Sequence, residues 1–238
     1  ATPFTPRYTA DQIANANTTN WYDLIIRTGI IQQPNLSVRG GNATTKYLIS
    51  FNSYDNDGII RKNSFSRYTG RFNLDQNFGK YITGGVSFTM SSITNHNFAN
   101  NSTGELSDRG IITNALWFSP VLSVKDASGN YQLNPNYPNM PNPVSLLEIT
   151  DITKTNRYLA NSYLQIEPVK GLTVKATLGF DSQNGQGRAY IPTTVLYGAQ
   201  QGGRADRSLQ NTFSWQYDFT VNYSKIFAEA HNITLLLG

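Results

Sequence analysis

From Asn211 to Ser224 the chain alternates strictly. Phe213, Trp215, Tyr217, Phe219, Val221 and Tyr223 fall on one parity, and Thr212, Ser214, Gln216, Asp218, Thr220, Asn222 and Ser224 on the other. Successive side chains of a strand point to opposite faces, so this pattern predicts a strand with one apolar and one polar face. Leu172–Asp181 and Tyr81–Ser91 repeat it, and so does Tyr68–Phe78, with Gln76 the one exception. Weaker alternation marks Ile31–Arg39, Lys46–Tyr54, Asn156–Glu167 and His231–Leu237. The expectation is about eight strands, several of ten residues or more; strands of soluble proteins usually run ~5–6.

The connections carry a second signal. Taken in order they are Gly40–Thr44, Asp55–Phe65, Asn77–Lys80, Asn97–Thr155, Pro168–Gly171, Gln183–Arg207 and Phe227–Ala230. Short and long segments alternate. In a meander of hairpins, alternate connections lie at opposite ends of the sheet. All tight turns therefore fall at one end and all long loops at the other, the habit of transmembrane barrels. Two helices are expected outside the strands: one after Thr9-Ala10-Asp11-Gln12, which resembles a capping box, and one over Glu105–Trp117, inside the longest loop. Tyr131–Pro143, rich in Pro and Asn, predicts turns or extended chain.

One alternating strand fits a soluble antiparallel sheet equally well. Three features together favour a barrel. The apolar faces are rich in aromatics and free of charge, the strands reach the ~9–11 residues of a tilted span, and the turns sort by length. Composition agrees: only 14% of the 238 residues are charged, against roughly 25% in an average domain. No apolar run approaches the ~18 residues of a membrane helix, and no disulfide or cysteine-bound metal is possible without Cys. The first residues carry no signal-peptide pattern, which is expected for a cytosolic protein, a mature chain or a piece of a longer one.

Enzyme chemistry finds little support. His96 and His231 lie near a strand end and a tight turn. None of the common nucleophile, zinc or phosphate-loop motifs occurs. Asp55-Asn56-Asp57-Gly58 lacks the full spacing of a calcium loop and reads as a turn. No metal or cofactor is called for. The excess of base is small, +4, and spread along the chain. Nucleic-acid binding, which needs clustered cations among aromatics, is not expected. Arg61, Lys62 and the stretch Arg204–Arg207 fall in expected external loops, where solvation or contact with lipopolysaccharide phosphate would suit them.

A series of motifs resembles one family. Asn20-Trp21-Tyr22-Asp23-Leu24-Ile25-Ile26-Arg27-Thr28-Gly29 is similar to the N/D-W-x-D-x-I-F-R-T-G signature of SusC/RagA-type TonB-linked outer membrane proteins of Bacteroidetes. Asn35-Leu36-Ser37-Val38-Arg39-Gly40-Gly41 resembles its N-L-S-V-S-G-G. Lys46-Tyr47-Leu48-Ile49-Ser50, Asp55-Asn56-Asp57-Gly58-Ile59-Ile60 and Arg67-Tyr68-Thr69-Gly70-Arg71-Phe72-Asn73-Leu74-Asp75 follow in the family's order. Pro141-Asn142-Pro143-Val144, Asn156-Arg157-Tyr158-Leu159 and Lys170-Gly171-Leu172-Thr173 extend the match along nearly the whole chain.

The resemblance implies an all-β fold: a section of a larger, plugged barrel of the 22-stranded type. It also implies nutrient import (glycans or peptides) across the outer membrane of a Gram-negative bacterium. The implied partners are a SusD-like surface lipoprotein, outer-membrane lipid, and a TonB energy complex acting through a plug that no motif here matches. Residues 1–30 would form an external loop with a short helix, and 31–238 barrel strands with a long external loop over 97–155. Phe213, Trp215, Tyr217, Phe219 and Val221 would face lipid, and Arg71, Asp75, Lys175, Asp181 and Asp218 the lumen. Tyr81, Trp215, Tyr223 and Phe227 suit interface girdles. Aromatics of the longest loop, Trp117, Phe118, Tyr131 and Tyr137, are the candidate substrate contacts, since rings stack on sugars and peptide side chains. The alternatives are a soluble all-β module that binds carbohydrate or protein, and a barrel that serves as scaffold without transport.

Overall fold

A computed structural model of the chain describes residues 10–14, 18–97, 110–227 and 231–238. Its backbone is one antiparallel sheet of nine strands. In chain order these are β1 (Ile30–Gln32), β2 (Asn35–Gly41), β3 (Thr45–Asp57), β4 (Ser64–Phe78), β5 (Ile82–His96), β6 (Thr150–Val169), β7 (Leu172–Ile191), β8 (Arg204–Phe227) and β9 (His231–Leu237). Both β1 and β2 lie against β3, and from β3 onward every strand pairs with the next in sequence. The expected strand Ile31–Arg39 is thus two strands. Pro34 falls between them and has no N–H to give a ladder, while its carbonyl accepts from Ser53 N at 3.1 Å.

Three tight turns, 42–44, 79–81 and 170–171, sit at one end of the sheet, and loops 58–63, 97–149 and 192–203 at the other. The 42–44 turn is built by Asn42, whose Oδ1 accepts from Thr44 N, Thr44 Oγ1 and Thr45 N at 2.8–2.9 Å. The fourth expected tight turn, after β8, falls on 228–230, outside the described residues, as do Thr9 and the Phe227 side chain.

The strands overrun their expected ends. β6 and β7 have 20 residues each, and β8 has 24. β6 begins at Thr150, not Asn156, so the longest loop shortens to 97–149. The reason is physical: alternation is required only where one face is apolar, but the backbone ladder continues wherever a partner strand is present. Pairing proceeds without slip along these extensions, as from Asn184↔Asn211 to Ile191↔Arg204.

Continuous register carries each strand's parity across the sheet. One row runs Val38–Ile49–Phe72–Phe88–Ala160–Phe180–Trp215, and a neighbouring one Gly40–Tyr47–Leu74–Val86–Ser162–Leu178–Tyr217. This face is a broad apolar belt, and it is exposed. The hydrophobic core lies elsewhere. Trp21, Ile25, Ile60, Ile111, Ala115, Phe118, Met140, Leu146, Ile191 and Val195 are buried together, all at the long-loop end. They come from helices α2 (Trp21–Ile25), α3 (Gly110–Trp117) and a 3₁₀ turn (Ser145–Glu148), with the loop and strand ends around them. Two further short helices are α1 (Ala10–Ala14) and α4 (Leu196–Gln200). The expected helix over Glu105–Trp117 is described from Gly110, residues 105–109 lying outside the described part.

Candidate functional site

Two surfaces carry chemistry: the polar face of the sheet and the cap of loops at its end. Arg71, Asp75, Lys175, Asp181 and Asp218 all stand on the polar face. Across it runs the row Lys46–Asp75–Gly85–Tyr163–Thr177–Asp218. Tyr163 reaches over β5 to donate to Asp75 Oδ1 at 2.8 Å. Gly85 makes this possible, because a Cβ there would run into the Tyr163 ring and stand 2.6 Å from Asp75 Oδ1. Lys175 Nζ lies 4.8 Å from the centre of the same ring, a cation–π contact. Two to three rows further up, Arg157 grips Asp181 with both ends of its fork, Nε to Oδ1 at 3.0 Å and NH2 to Oδ2 at 2.6 Å. Arg67 stands 5.7 Å above the Tyr54 ring, and its Nε is buried with no hydrogen-bond partner.

Around the Asp75–Tyr163–Lys175 group is a cleft of about 300 Å³ lined also by Asn73, Ser87 and Asn161. A neighbouring cleft of about 560 Å³, near the tight turns, is lined by Arg39, Lys46, Leu48, Asn73 and Asp75. Tyr163 and Arg157 were not legible from the sequence because both parities of β6 are mixed: Leu159 sits on the polar face and Ser162 on the apolar one. The signal that would find them is register, once β5 and β7 are fixed on either side.

Phe213, Trp215, Tyr217, Phe219 and Val221 share the apolar face. Trp215 is 67% exposed and Tyr217 68%, and their rings stack 5.9 Å apart. The run from Phe213 to Tyr223 is about 34 Å of strand; tilted by ~45° it stands about 24 Å high, close to the ~25 Å lipid band of outer-membrane barrels.

The loop cap explains the motifs. Asn20 caps α2, its side chain accepting from Asp23 N at 3.3 Å. That turn puts Trp21 and Ile25 in the core, where Trp21 meets the Phe118 ring edge-on at 4.6 Å and donates Nε1–H to Ser119 O at 2.9 Å. Arg27 then clamps the β3–β4 loop: Nε to Gly58 O at 3.0 Å, and NH2 to Asn63 O at 2.7 Å and Asp57 Oδ1 at 3.1 Å. Gly29 passes so close to Asp57 that a Cβ would lie 2.8 Å from its carbonyl oxygen. Asn142, buried in Pro141-Asn142-Pro143-Val144, donates to Val124 O and Gln132 O at 3.1 and 3.0 Å and accepts from Val144 N at 3.0 Å. These motifs staple loops together.

The four loop aromatics separate. Phe118 is 3% exposed and packed on Trp21. This corrects its expected role as a substrate contact, since the core leaves it no face to offer. Trp117 and Tyr137 are 60% and 49% exposed. Tyr131 is half-buried: it donates to Glu148 Oε1 at 3.1 Å and lies under Lys125 Nζ, 5.4 Å from the ring centre. Burial first, then the Glu148 bond, raises its hydroxyl pKa above the ordinary tyrosine value. Tyr131, Lys125 and Leu133 face Thr193, Thr194 and Leu196 across a cleft of about 280 Å³. His96 closes β5 with its Nδ1 3.1 Å from Ser64 Oγ, and His231 opens β9, exposed.

Comparison with known proteins places this architecture. No family model matches the chain. It is 33% identical to TonB-dependent receptor P3 of Formosa agariphila over 97% of this chain and 23% of that protein. It is 24% identical to TonB-dependent receptor SusC of Bacteroides thetaiotaomicron, over 95% of this chain and 24% of that one. Among solved structures, the RagAB peptide transporter superposes with a TM-score of 0.71 at 21% identity, over 93% of this chain and 25% of that chain. The open-open state of the RagAB peptide importer gives 0.73 at 20% identity, over 91% and 24%. The structural likeness is one of fold. The chain spans about a quarter of the length of the relatives it matches.

Proposed function

Because the chain belongs to the SusC/RagA-type TonB-dependent receptors, as a section of their antiparallel barrel, we propose that the whole protein imports nutrients across the outer membrane. The observation that carries this is the two-faced sheet. Its apolar belt has the height of a bilayer core, and its other face is lined by Arg, Asp, Asn, Ser and Thr. We read the belt as lipid-facing and the polar wall as lumen. Closure into a barrel satisfies the edge N–H and C=O groups that lipid cannot. A soluble sheet would leave Phe213, Trp215, Tyr217 and Phe219 facing water.

On this reading residues 97–149 and 192–203 lie outside the cell with 1–30, and Trp117, Tyr137 and the rim of Tyr131 offer ring faces to cargo. The cargo class is glycan or peptide. Relatives named as receptors and a peptide importer support both import and the partners: a SusD-like lipoprotein above the loops and the TonB complex below, through a plug. No step requires catalysis by the chain. The test is complementation. A strain lacking the full-length gene is grown on single glycans or peptides as sole nutrient, with the TonB system intact or deleted. Growth that needs both the gene and TonB is expected. Growth indifferent to TonB, or a full-length protein that is soluble without detergent, would overturn the reading.

A further inference from the structure

Above the apolar belt, toward the long-loop end, the outward parity of β6–β8 changes character. After the aromatic row Tyr158–Ser182–Phe213 comes Asn156–Asn184–Asn211, then Lys154–Gln186–Leu209, then Ile152–Arg188–Arg207. Lys154, Arg188 and Arg207 therefore stand together on the belt's own face. Arg188 and Arg207 are directly opposed across two strands, and Lys154 is one row below on the next strand. All three are exposed. None joins the ion pairs of the described residues, which are Arg27–Asp57, Arg157–Asp181 and Arg204–Asp206.

Two like charges placed opposite each other are unfavourable in a sheet unless something anionic sits over them. Among the described residues nothing of the kind stands here. Asp151 and Asp206 are on the other parity, and Arg204 holds Asp206 at 2.8 Å. The carboxylates on this parity, Asp55 and Asp57, lie three strands away on β3, roughly 14 Å at ordinary strand spacing. Asp55 is already bonded to Ser53 and Tyr68. His96 shares the upper row but is turned to Ser64.

We propose that Lys154, Arg188 and Arg207 form a site for the phosphates of an anionic lipid headgroup in the outer leaflet. The proposal rests on the reading of the belt as lipid-facing. Each row is about 7 Å along the strand, or about 5 Å in height once tilted. The cations thus begin about 10 Å above the Tyr158–Ser182–Phe213 row, with Tyr190 of the same face one row above Arg188. Their long stems can lower the charge toward the headgroup plane while the alkyl part lies along the sheet. Arg188 and Arg207 suit phosphate because each guanidinium offers a planar fork of donors. In a bacterial outer membrane the lipid with phosphates at that depth is lipid A.

The test uses the full-length receptor purified in detergent, with lipid A added as the probe. The neutral variant is Lys154→Gln/Arg188→Gln/Arg207→Gln, and the charge-keeping one Lys154→Arg/Arg188→Lys/Arg207→Lys. Bound lipid is counted by native mass spectrometry, and folding is checked by the shift of the unheated band on a denaturing gel. A headgroup contact is worth about fivefold in affinity per cation near the surface. The neutral variant is therefore expected to lose on the order of tenfold or more in lipid A affinity, with its unheated band unchanged, and the charge-keeping variant to lose little. Enzymatic removal of the lipid A phosphates should weaken binding to the wild type equally.

Equal binding by wild type and neutral variant would overturn the proposal. So would loss in the charge-keeping variant as large as in the neutral one. Displacement of lipid A by an equal concentration of inorganic phosphate would show a small-anion site in its place. A receptor soluble without detergent would sink the membrane reading itself, a result distinct from a detergent-soluble barrel indifferent to lipid A.

Discussion

The Tyr163 hydroxyl donates to Asp75 Oδ1 at 2.8 Å across the bare backbone of Gly85. Three strands are tied by one side chain and one missing side chain. Gly85→Ala is expected to push the ring and carboxylate apart and lose that bond. Tyr163→Phe removes it directly, and each change should cost about 1 kcal/mol. Because they remove the same interaction, the double variant should cost clearly less than the sum. The measurement is the temperature at which the full-length barrel loses its folded gel band. Full additivity would show that Gly85 serves something other than this reach.

Arg27→Lys keeps the charge and loses the fork. The exposed ion pair with Asp57 is worth little by itself. The bonds to Gly58 O and Asn63 O are what fix the β3–β4 loop. Arg61 and Lys62 in that loop are trypsin sites. Trypsin should cut there several-fold faster in Arg27→Lys than in the wild type, and faster still in Arg27→Ala. An unchanged cutting rate would remove the clamp from the account.

Phe118→Ala and Trp117→Ala should part company. Phe118 fills the cap core, so its truncation is expected to cost about 3–5 kcal/mol locally and open the loops to protease. Trp117 is exposed; its removal should leave protease resistance intact while weakening cargo binding about two- to tenfold, the worth of one ring contact. Equilibrium binding of the identified cargo, beside a proteolysis time course, reads both. Equal protease sensitivity in the two variants would contradict the division.

Tyr131 gives a pH signature. Its hydroxyl pKa is raised in the folded cap, by burial and then by the Glu148 bond. Below the ordinary tyrosine value of about 10 the group is protonated in both states, and its contribution to the cap is fully present. As pH rises through the folded value the unfolded chain releases its proton first, and the contribution is lost. Cap stability by proteolysis should fall above about pH 10, and less so in Tyr131→Phe. Identical pH profiles for the two proteins would exclude Tyr131 as a contributor.

The sheet was legible where physics makes the sequence repetitive. Phe213 to Tyr223 alternates because one face must be apolar along the whole belt, and the tight turns announce themselves through residues such as Asn42 and Gly171. Strand ends were not legible. Outside the belt Asn184 or Gln186 can face either way, and only the partner strand keeps them in the ladder. The polar-face contacts were hidden for a related reason. Tyr163 looks apolar on its own strand, and its role depends on Gly85 of another. Phe118 misled because an aromatic in a loop has the same letter whether it faces water or fills a core. The signature around Trp21 and Arg27 named the family, but its work is mechanical: it binds loop to loop and says nothing of cargo.

The order of the strands has a consequence for assembly. From β3 to β5 and again from β6 to β9, each strand's template is the one made just before it, so the sheet can grow by short hairpins at a low cost in loop closure. The exception is the return from β5 to β6, where residues 97–149 intervene. There the new strand must find its edge over a long tether, and the same segment supplies α3 and the 3₁₀ turn that close the cap core on α2. Insertion should therefore pause at that step, with a half-built sheet waiting on the loop, and a loop that folds early would shorten the wait.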